Sequence, residues 1–221
     1  MRSLFNKVLV KIADKNPDIF LVLADIGYGE VEGFMEAFPK RFYNVGVAEQ
    51  NMAGVACGLA LEGKTSLIYT INNFVFIRCL EQIRNDICYH NADVKVVIVG
   101  GGLHYGALGV SHHSREDLAI MRSLSNIVVC SPCDLVEAEA AAYAMFEHKG
   151  PFCYRCGRKG EPQLHKGPID FQIGKAIQIQ DGADVTLIFT GTIGGQVIPA
   201  AEELAKAGIK CRVLSLSLIH I

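Results

Sequence analysis

The sequence predicts an α/β protein built on a parallel sheet. Short apolar runs alternate with longer alanine-rich or amphipathic segments along the 221 residues, which is the pattern of strands joined by crossover helices. The run 94–99 is apolar at all but one position, as expected for a strand covered on both faces. Polar or glycine-rich loops follow several runs, so their carboxyl ends are candidate binding positions.

The elements follow from local composition. The predicted strands are rich in β-branched and aromatic residues and cover 19–24, 42–45, 65–69, 94–99, 127–130, 151–156, 184–190 and 210–214. The predicted helices have helical spacing of apolar residues and cover 3–13, 31–38, 49–62, 74–90, 115–123, 134–146 and 195–207. Asp134 is a good N-cap residue for the helix that it begins.

A polar connection containing glycine and proline divides the chain. We assign 1–160 to the first domain, 161–182 to an interdomain linker and 183–221 to the start of a second α/β domain. Two strands and one helix cannot cover a parallel sheet on both faces. We therefore expect the second domain to be truncated, or to lean on the first domain or on a partner.

Charge and hydropathy exclude several function classes. The formal net charge is −2, and no stripe of Lys and Arg is present, so we expect neither nucleic-acid nor membrane binding. The apolar runs are too short to span a bilayer, and the first residues open an amphipathic helix rather than a signal peptide. We expect a cytoplasmic protein whose eight cysteines are buried thiols of a reducing compartment.

One cysteine pattern has the spacing of a zinc site, namely Cys130-x-x-Cys133 followed by Cys153-x-x-Cys156. The second pair lies in a predicted strand, where residues three apart point to opposite faces. The segment between the pairs is a predicted helix, so strand, helix and strand explain the pattern without a metal. His112 and His113 are adjacent and cannot comfortably ligate one ion, and we expect no metal site on this chain.

Glu49 is the main candidate for chemistry. It begins a helix unusually rich in Gly and Ala, against which another backbone could lie closely. A carboxylate desolvated by such a neighbour can serve in acid and base catalysis. A plainer interpretation is a first-turn acid that complements the helix dipole. Residue types alone leave both interpretations open.

Other polar loops follow neighbouring predicted strands and carry Asp25, Asn72 and Asn73, the triplet 100–102 with His104, and the pair His112 and His113. The glycine triplet matches neither a Walker loop nor a dinucleotide fingerprint, and a flexible loop carrying His104 is the simpler interpretation. The histidine pair could handle protons or bind phosphate, or its segment could cap the helix that follows.

Together, four motifs resemble the pyrimidine-binding half of transketolases, most closely the C-terminal subunit of split bacterial transketolases. More distant similarity runs to deoxyxylulose-phosphate synthase and to the beta subunits of 2-oxo-acid dehydrogenases. The motifs are 45–64, Phe74-x-x-x-Arg78-x-x-Glu81-Gln82-Ile83-Arg84-Asn85-Asp86, Gly106-x-x-Gly109-Val110-Ser111-His112-His113, and Arg155-x-Gly157-Arg158.

The resemblance implies thiamine diphosphate as cofactor and two-carbon ketol transfer between sugar phosphates as the reaction. It matches Glu49 to the glutamate that hydrogen-bonds the aminopyrimidine ring and drives its tautomerisation, and Phe74 or Phe76 to the aromatic residue that stacks on that ring. Asp25 resembles a loop acid near the cofactor. His112 matches a catalytic histidine that contacts the ketose, and the implied substrate-binding residues are His104, His112, His113 and Arg158.

The resemblance also implies a partner. No segment offers the Gly-Asp-Gly…Asn signature, so Mg²⁺ and diphosphate are expected on a separate N-terminal subunit, in a heterotetramer. Leu108 stands where transketolases commonly have an acid that reads substrate stereochemistry, and His113 stands where Gln is usual. Two alternatives therefore remain. The chain could carry out the chemistry of the synthase or of 2-oxo-acid dehydrogenases, or it could be a non-catalytic scaffold. The residues after 214 depart from the family pattern and suggest a truncated or artefactual end.

Overall fold

A computed structural model describes residues 1–158 and 160–217. The last four residues, part of the predicted artefactual end, lie outside them. The first unit is built on six strands: β1 Ile19–Leu23, β2 Phe42–Asn44, β3 Thr65–Ile71, β4 Val94–Val99, β5 Val128–Cys130 and β6 Phe152–Cys156. They form one parallel sheet in the order β2-β1-β3-β4-β6-β5. The predicted parallel α/β fold is confirmed.

Helices cover both faces of this sheet. They are α1 Arg2–Lys15, α2 Glu32–Ala37, α3 Glu49–Leu61, α4 Asn72–Phe76, α5 Leu80–Gln82, α6 Asp117–Met121 and α7 Leu135–Glu147. Successive residues of each strand contribute to two separate hydrophobic cores, because side chains on a strand alternate between the faces of the sheet. Leu21 packs with α1 and α7 in one core, whereas Val22 packs with α3 and α4 in the other.

The helix predicted over 74–90 is interrupted. The chain leaves α4 after Phe76, resumes as α5, and continues as a π-helical turn over Ile83–Cys88. The buried residues Val75, Cys79, Ile83 and Ile87 recur every four positions, which is more than the 3.6 residues of an α-helical turn. A wider π turn keeps such a spacing on one face, and a simple periodicity does not distinguish it from a continuous helix.

The second unit contains β7 Ile177–Gln180, β8 Val185–Phe189, α8 Gly194–Lys206 and β9 Cys211–Ser215. Its sheet has the order β7-β9-β8, with β7 antiparallel to β9. The strand β7 lies inside the segment 161–182 that the sequence analysis treats as a linker. Its uncharged but polar pattern IQIQ is half-exposed, which explains why composition alone places it outside the sheet.

The two units are joined by hydrogen bonds. Ser131 N donates to Ser217 O at 2.6 Å, and His104 Nε2 lies 3.1 Å from Thr192 Oγ1. The small core beneath α8 also includes Cys133 from the first unit. Among the described residues, no helix has both the length and the apolar character needed to cross a bilayer.

Candidate active site

Glu49 lies at the first position of α3, just beyond the carboxyl ends of β1 and β2. Gly46, in the preceding turn, has a φ of +75°, a conformation that favours glycine, and its N–H donates to Asn44 Oδ1 at 3.1 Å. The turn directs the Glu49 side chain inward, where the residue is only 5% exposed. Beside it lies a surface cavity of about 390 Å³ lined by 47–51 and Arg78.

Arg78 is the direct partner of Glu49. Its Nη1 donates to Glu49 Oε1 at 2.7 Å, and its guanidinium carbon lies 4.1 Å from the centroid of the Phe74 ring. The break between α4 and α5 leaves Arg78 half exposed while its neighbour Cys79 is buried. The arginine therefore joins the predicted acid to the predicted aromatic residue.

The structure distinguishes the two aromatic candidates. Phe76 is 0% exposed and packs within the core formed with α3, so its ring is not available to a ligand. Phe74 is half-buried and has its ring beside Arg78 and His112. Helical positions two apart point in different directions, so the burial favours Phe74 as the ring that stacks on a ligand, and that assignment stays a prediction.

His112 extends this line of contacts. Its ring lies edge-on to Phe74 at 5.2 Å and tilted against Tyr105 at 5.3 Å, measured between centroids. Its Nδ1 lies 2.9 Å from Ser111 Oγ, which leaves Nε2 as the ring nitrogen directed away from that bond. Asn73 holds the same loop by donating from Nδ2 to Ser111 O at 2.6 Å.

His113 turns away from this line and closes its own loop. Its Nε2 lies 2.9 Å from Gly106 O, as expected of a nitrogen that donates to a backbone carbonyl. The described contacts give His113 a loop-holding role. Substrate contact by this residue remains a prediction.

The first two residues of the glycine triplet have side chains packed on them. A Cβ on Gly100 would lie 2.1 Å from the Tyr105 ring, and one on Gly101 would lie 2.1 Å from Arg155 Nε. Such distances are far below van der Waals contact. The glycines are needed because these two side chains pack directly on the backbone.

His104 and Arg158 lie on either side of the same loop. The guanidinium carbon of Arg158 is 4.8 Å from the Tyr105 ring centroid. His104 contacts Thr192 of the second unit, and burial, together with the charge of Arg155, lowers the pKa of its imidazole. The direction of this shift favours the neutral imidazole.

Asp25 lies at the carboxyl end of β1 and is exposed, with a φ of +56°. Hydrogen bonds donated by Tyr28 at 2.6 Å and Asn44 Nδ2 at 3.1 Å lower the pKa of its carboxyl. Asn44 also accepts from Gly46 N. Asp25 is thus linked to the turn that places Glu49, without contacting Glu49 itself.

A buried network beneath the loops was not predicted from the sequence. Arg155 Nε donates to Asp117 Oδ2 at 2.6 Å, and Asn72 Nδ2 donates to the same oxygen. Asp117 and Asn72 are almost fully buried. Only the pairing of three residues far apart in sequence identifies this network, so no local signal could have found it.

Comparison with known proteins places the chain in a family. The transketolase pyrimidine-binding domain matches residues 1–160, and the transketolase C-terminal domain matches residues 174–221. The putative transketolase C-terminal section of Methanocaldococcus jannaschii is 34% identical over 99% of this chain and 70% of its own length. One of the subunits of an apulose-4-phosphate transketolase, from Phocaeicola vulgatus, is 33% identical over the same shares.

A solved structure of a split-gene transketolase, described as an inactive beta4 tetramer, superimposes with a TM-score of 0.88 at 36% identity. The match covers 98% of this chain and 70% of that one. The chain therefore belongs to the transketolase family. Its first unit is a transketolase pyrimidine-binding domain, and its second unit is the start of the C-terminal domain.

The residues present fit half of a thiamine diphosphate site. The buried carboxylate of Glu49 and the guanidinium of Arg78 line one surface cavity, and Arg78 covers the half-buried ring of Phe74. A heteroaromatic ring with an exocyclic amine can contact groups of these kinds. The glycine-rich and acidic signature for Mg²⁺ and diphosphate is not present in the sequence. The chain offers ligands for the pyrimidine end of the cofactor.

Proposed function

We propose that this chain is the pyrimidine-binding subunit of a thiamine diphosphate-dependent transketolase, which works with a separate subunit that carries Mg²⁺ and diphosphate. The observation that carries the proposal is the placement of Glu49. It is buried at the first turn of α3, it borders a cavity, and Phe74 is tied to it through Arg78. A first-turn acid that only complements the helix dipole would not need this burial.

Thiamine diphosphate, when bound, supplies the carbanion and electron-sink chemistry of ketol transfer. Glu49 would hold a proton between its carboxylate and the pyrimidine ring nitrogen. Phe74 would orient the ring by stacking. Arg78 would keep the Glu49 carboxylate in place through its 2.7 Å hydrogen bond.

His112 is the proposed catalytic contact to the substrate, because its Nε2 is not engaged by Ser111 and its ring is held by Phe74 and Tyr105. His104 and Arg158 are proposed to receive the sugar phosphate. A guanidinium suits a phosphate by its planar, bidentate geometry, and Arg158 is supported from below by the Tyr105 ring. His113 is proposed as a further substrate contact, and Asp25 as an acid near the cofactor.

The partner is proposed to lie against α3. The outward residues Gly54 and Gly58 leave open space where a side chain would stand, and a helix without side chains on one face lets another backbone approach closely. A relative named as one subunit of a transketolase and a split-gene structure support a two-subunit enzyme. Pairing of two such heterodimers would give the heterotetramer expected from the sequence.

The identity of the donor sugar is the least constrained part of the proposed function. A relative is named for apulose 4-phosphate, and here Leu108 is exposed in the loop that precedes His112. An apolar residue at that place cannot hydrogen-bond a sugar hydroxyl. A panel of ketose phosphates, including xylulose 5-phosphate and apulose 4-phosphate, is therefore the suitable substrate set.

The test is reconstitution. The chain is mixed with its diphosphate-binding partner, thiamine diphosphate and Mg²⁺, and ketol transfer is measured for the wild type, Glu49→Gln and the control Glu36→Gln, which replaces an exposed acid of α2. We expect Glu49→Gln to lose about a hundredfold or more in kcat, and the control to retain activity. Equal rates for wild type and Glu49→Gln would overturn the role of Glu49.

Two further outcomes would redirect the assignment. Consumption of pyruvate in place of ketose donors would indicate chemistry like that of deoxyxylulose-phosphate synthase or the 2-oxo-acid dehydrogenases. Tight binding to the partner without turnover of any ketose or 2-oxo acid would indicate a scaffold.

A further inference from the structure

We propose that Cys133, Glu137 and His165 form a binding site for one Zn²⁺ ion, or a similar borderline divalent transition metal, between the first unit and the connection to the second. In the described part of the chain, this is the one group of three or more Cys, His, Asp or Glu side chains placed closely enough to hold a metal. All three residues are buried.

Two of the three residues keep an unpartnered ligand atom, and the third, Cys133, has its Sγ 4.0 Å from His165 Nδ1. Glu137 Oε2 accepts from Cys133 N at 3.0 Å and from Ser217 Oγ at 2.7 Å. Glu137 Oε1 is buried and has no hydrogen-bond partner among the described residues, and the same holds for His165 Nε2. These two atoms face each other at 3.6 Å, which is longer than a hydrogen bond, so that one ion placed between them would contact both.

The separations suit a metal. The ligand atoms of the three residues lie within 4.8 Å of one another. Donors bound to a tetrahedral zinc ion at about 2.0 to 2.3 Å stand roughly 3.3 to 3.8 Å apart. Small side-chain rotations would bring the ligand atoms from their present separations to those of a zinc site. A thiolate, an imidazole and a carboxylate are all ligands that zinc accepts.

Asp134 supplies the supporting contact that metal-binding histidines ordinarily have. Its Oδ2 accepts from His165 Nδ1 at 3.0 Å and from the backbone N–H groups of Leu164 and His165 at 3.0 and 2.8 Å. Its Oδ1 accepts from Glu137 N at 2.9 Å as the N-cap of α7. Asp134 thereby directs His165 Nε2 toward Glu137 and fixes the first turn that carries Glu137.

The ligands come from two parts of the chain, so a bound ion would fasten them together. Cys133 and Glu137 belong to the start of α7, and His165 comes from the connection that leads to β7. This arrangement differs from the four-cysteine pattern in the sequence. Cys130, Cys153 and Cys156 lie in buried strands and are not members of the cluster, and Cys133 is the one member shared by both.

The test is titration of the full chain, freed of any affinity tag and of metal, with Co²⁺ as a spectroscopic probe. We expect one equivalent to bind, with the near-ultraviolet thiolate-to-cobalt band and the visible bands of a tetrahedral ion, and we expect Zn²⁺ to displace it. Zn²⁺ should also raise the Tm of the wild type as its concentration increases. Failure of the wild type to bind one equivalent would overturn the proposal without reference to any variant.

Variants locate the site. Cys133→Ser should abolish the thiolate band, and His165→Gln should weaken Zn²⁺ binding at least tenfold. The control Cys57→Ser replaces a buried thiol outside the cluster, whose Sγ contacts Asp86 O at 3.1 Å, and should keep the band. Circular dichroism confirms that each variant is folded. A band that persists in Cys133→Ser, or that disappears equally in Cys57→Ser, would place the metal elsewhere and overturn the assignment.

Discussion

The guanidinium of Arg78 and the carboxylate of Glu49 are joined by a 2.7 Å hydrogen bond, although the residues are 29 positions apart. Both side chains line the same cavity, and Arg78 also covers the Phe74 ring. A ligand that reaches Glu49 must therefore share the carboxylate with Arg78. We therefore propose Arg78 as a positioning residue, which would act on a bound ring through its contacts with Glu49 and Phe74.

Substitution of Arg78 tests whether this residue positions Glu49 and Phe74 for catalysis. We expect Arg78→Ala, assayed with the partner subunit, to lower kcat/KM about ten- to a hundredfold, because a hydrogen bond between charged groups contributes roughly 1.5–3 kcal/mol. Arg78→Lys should recover only part of the rate, since it keeps the charge but loses the planar contact with Phe74. The measurement is kcat and KM for thiamine diphosphate.

The matched control is Arg84→Ala on the following helical turn, where Arg84 is exposed and donates to the neighbouring Asn85 at 2.7 Å. It should behave as the wild type. Wild-type kinetics for Arg78→Ala would refute the positioning role.

We expect substitution of Phe76 to reduce stability and substitution of Phe74 to weaken cofactor binding. Phe76→Ala removes a fully buried ring from the core and should lower the free energy of unfolding by about 3–5 kcal/mol. Phe74→Ala should cost much less stability and instead raise the KM for thiamine diphosphate. Urea unfolding and cofactor titration of both variants check this, and a stable Phe76→Ala with impaired cofactor binding would reverse the assignment.

The sequence predicted what depends on local pattern. Apolar runs such as 94–99 predict the strands. Because ligands bind at the carboxyl ends of parallel strands, the sequence also predicts the loop of Glu49 as a binding position. The Arg78 partnership depends on a helix break after Phe76, which four-residue spacing of apolar residues conceals. The packing of Arg155 on Gly101 and the meeting of Cys133 with His165 are long-range contacts, which no local pattern encodes.

Gly101 should not tolerate a methyl group. The Cβ of Gly101→Ala would lie 2.1 Å from Arg155 Nε and would displace the guanidinium from the buried Asp117 carboxylate, which it contacts at 2.6 Å. Breaking such a pair costs about 3–5 kcal/mol, and urea unfolding should show a loss of that order. Gly167→Ala, at a glycine with open space around its Cβ position, serves as the control and should be close to neutral.

Asp93 should make stability depend on acid pH. Burial raises the pKa of its carboxyl, but the hydrogen bond and charge of Lys95 at 2.6 Å outweigh burial, with smaller contributions from Thr65 and Lys149, so the net pKa lies below its ordinary value of 3.8. Its contribution is therefore fully present above that value and is lost as the pH falls through the lower, folded-state pKa.

Asp93→Asn should consequently cost about 3 kcal/mol near neutral pH, since it leaves the fully buried Lys95 without its anion, and the deficit should shrink near pH 3. Free energies of unfolding from urea titrations at both pH values measure it. Asp18→Asn, which removes an exposed partner of Lys64, should change little at either pH. A deficit for Asp93→Asn that is independent of pH would exclude the ionic explanation.

Gly54 tests the proposed subunit interface, because stability and association should change in opposite directions. It lies inside α3 with open space where a Cβ would stand, so Gly54→Ala should stabilise the isolated chain by up to about 1 kcal/mol through helix propensity. If α3 packs closely on the partner, the added methyl groups should also weaken association, by about tenfold or more. Differential scanning calorimetry of the chain alone and sedimentation with the partner measure the two effects.

The control is Gly33→Ala in α2, where the nearest atom to the new Cβ is a side-chain carbon of Val10 at 3.8 Å. It should give the same gain in stability without the loss of association. Unchanged association of Gly54→Ala would place the partner on another face, because a close backbone approach cannot absorb a methyl group without separation of the helices.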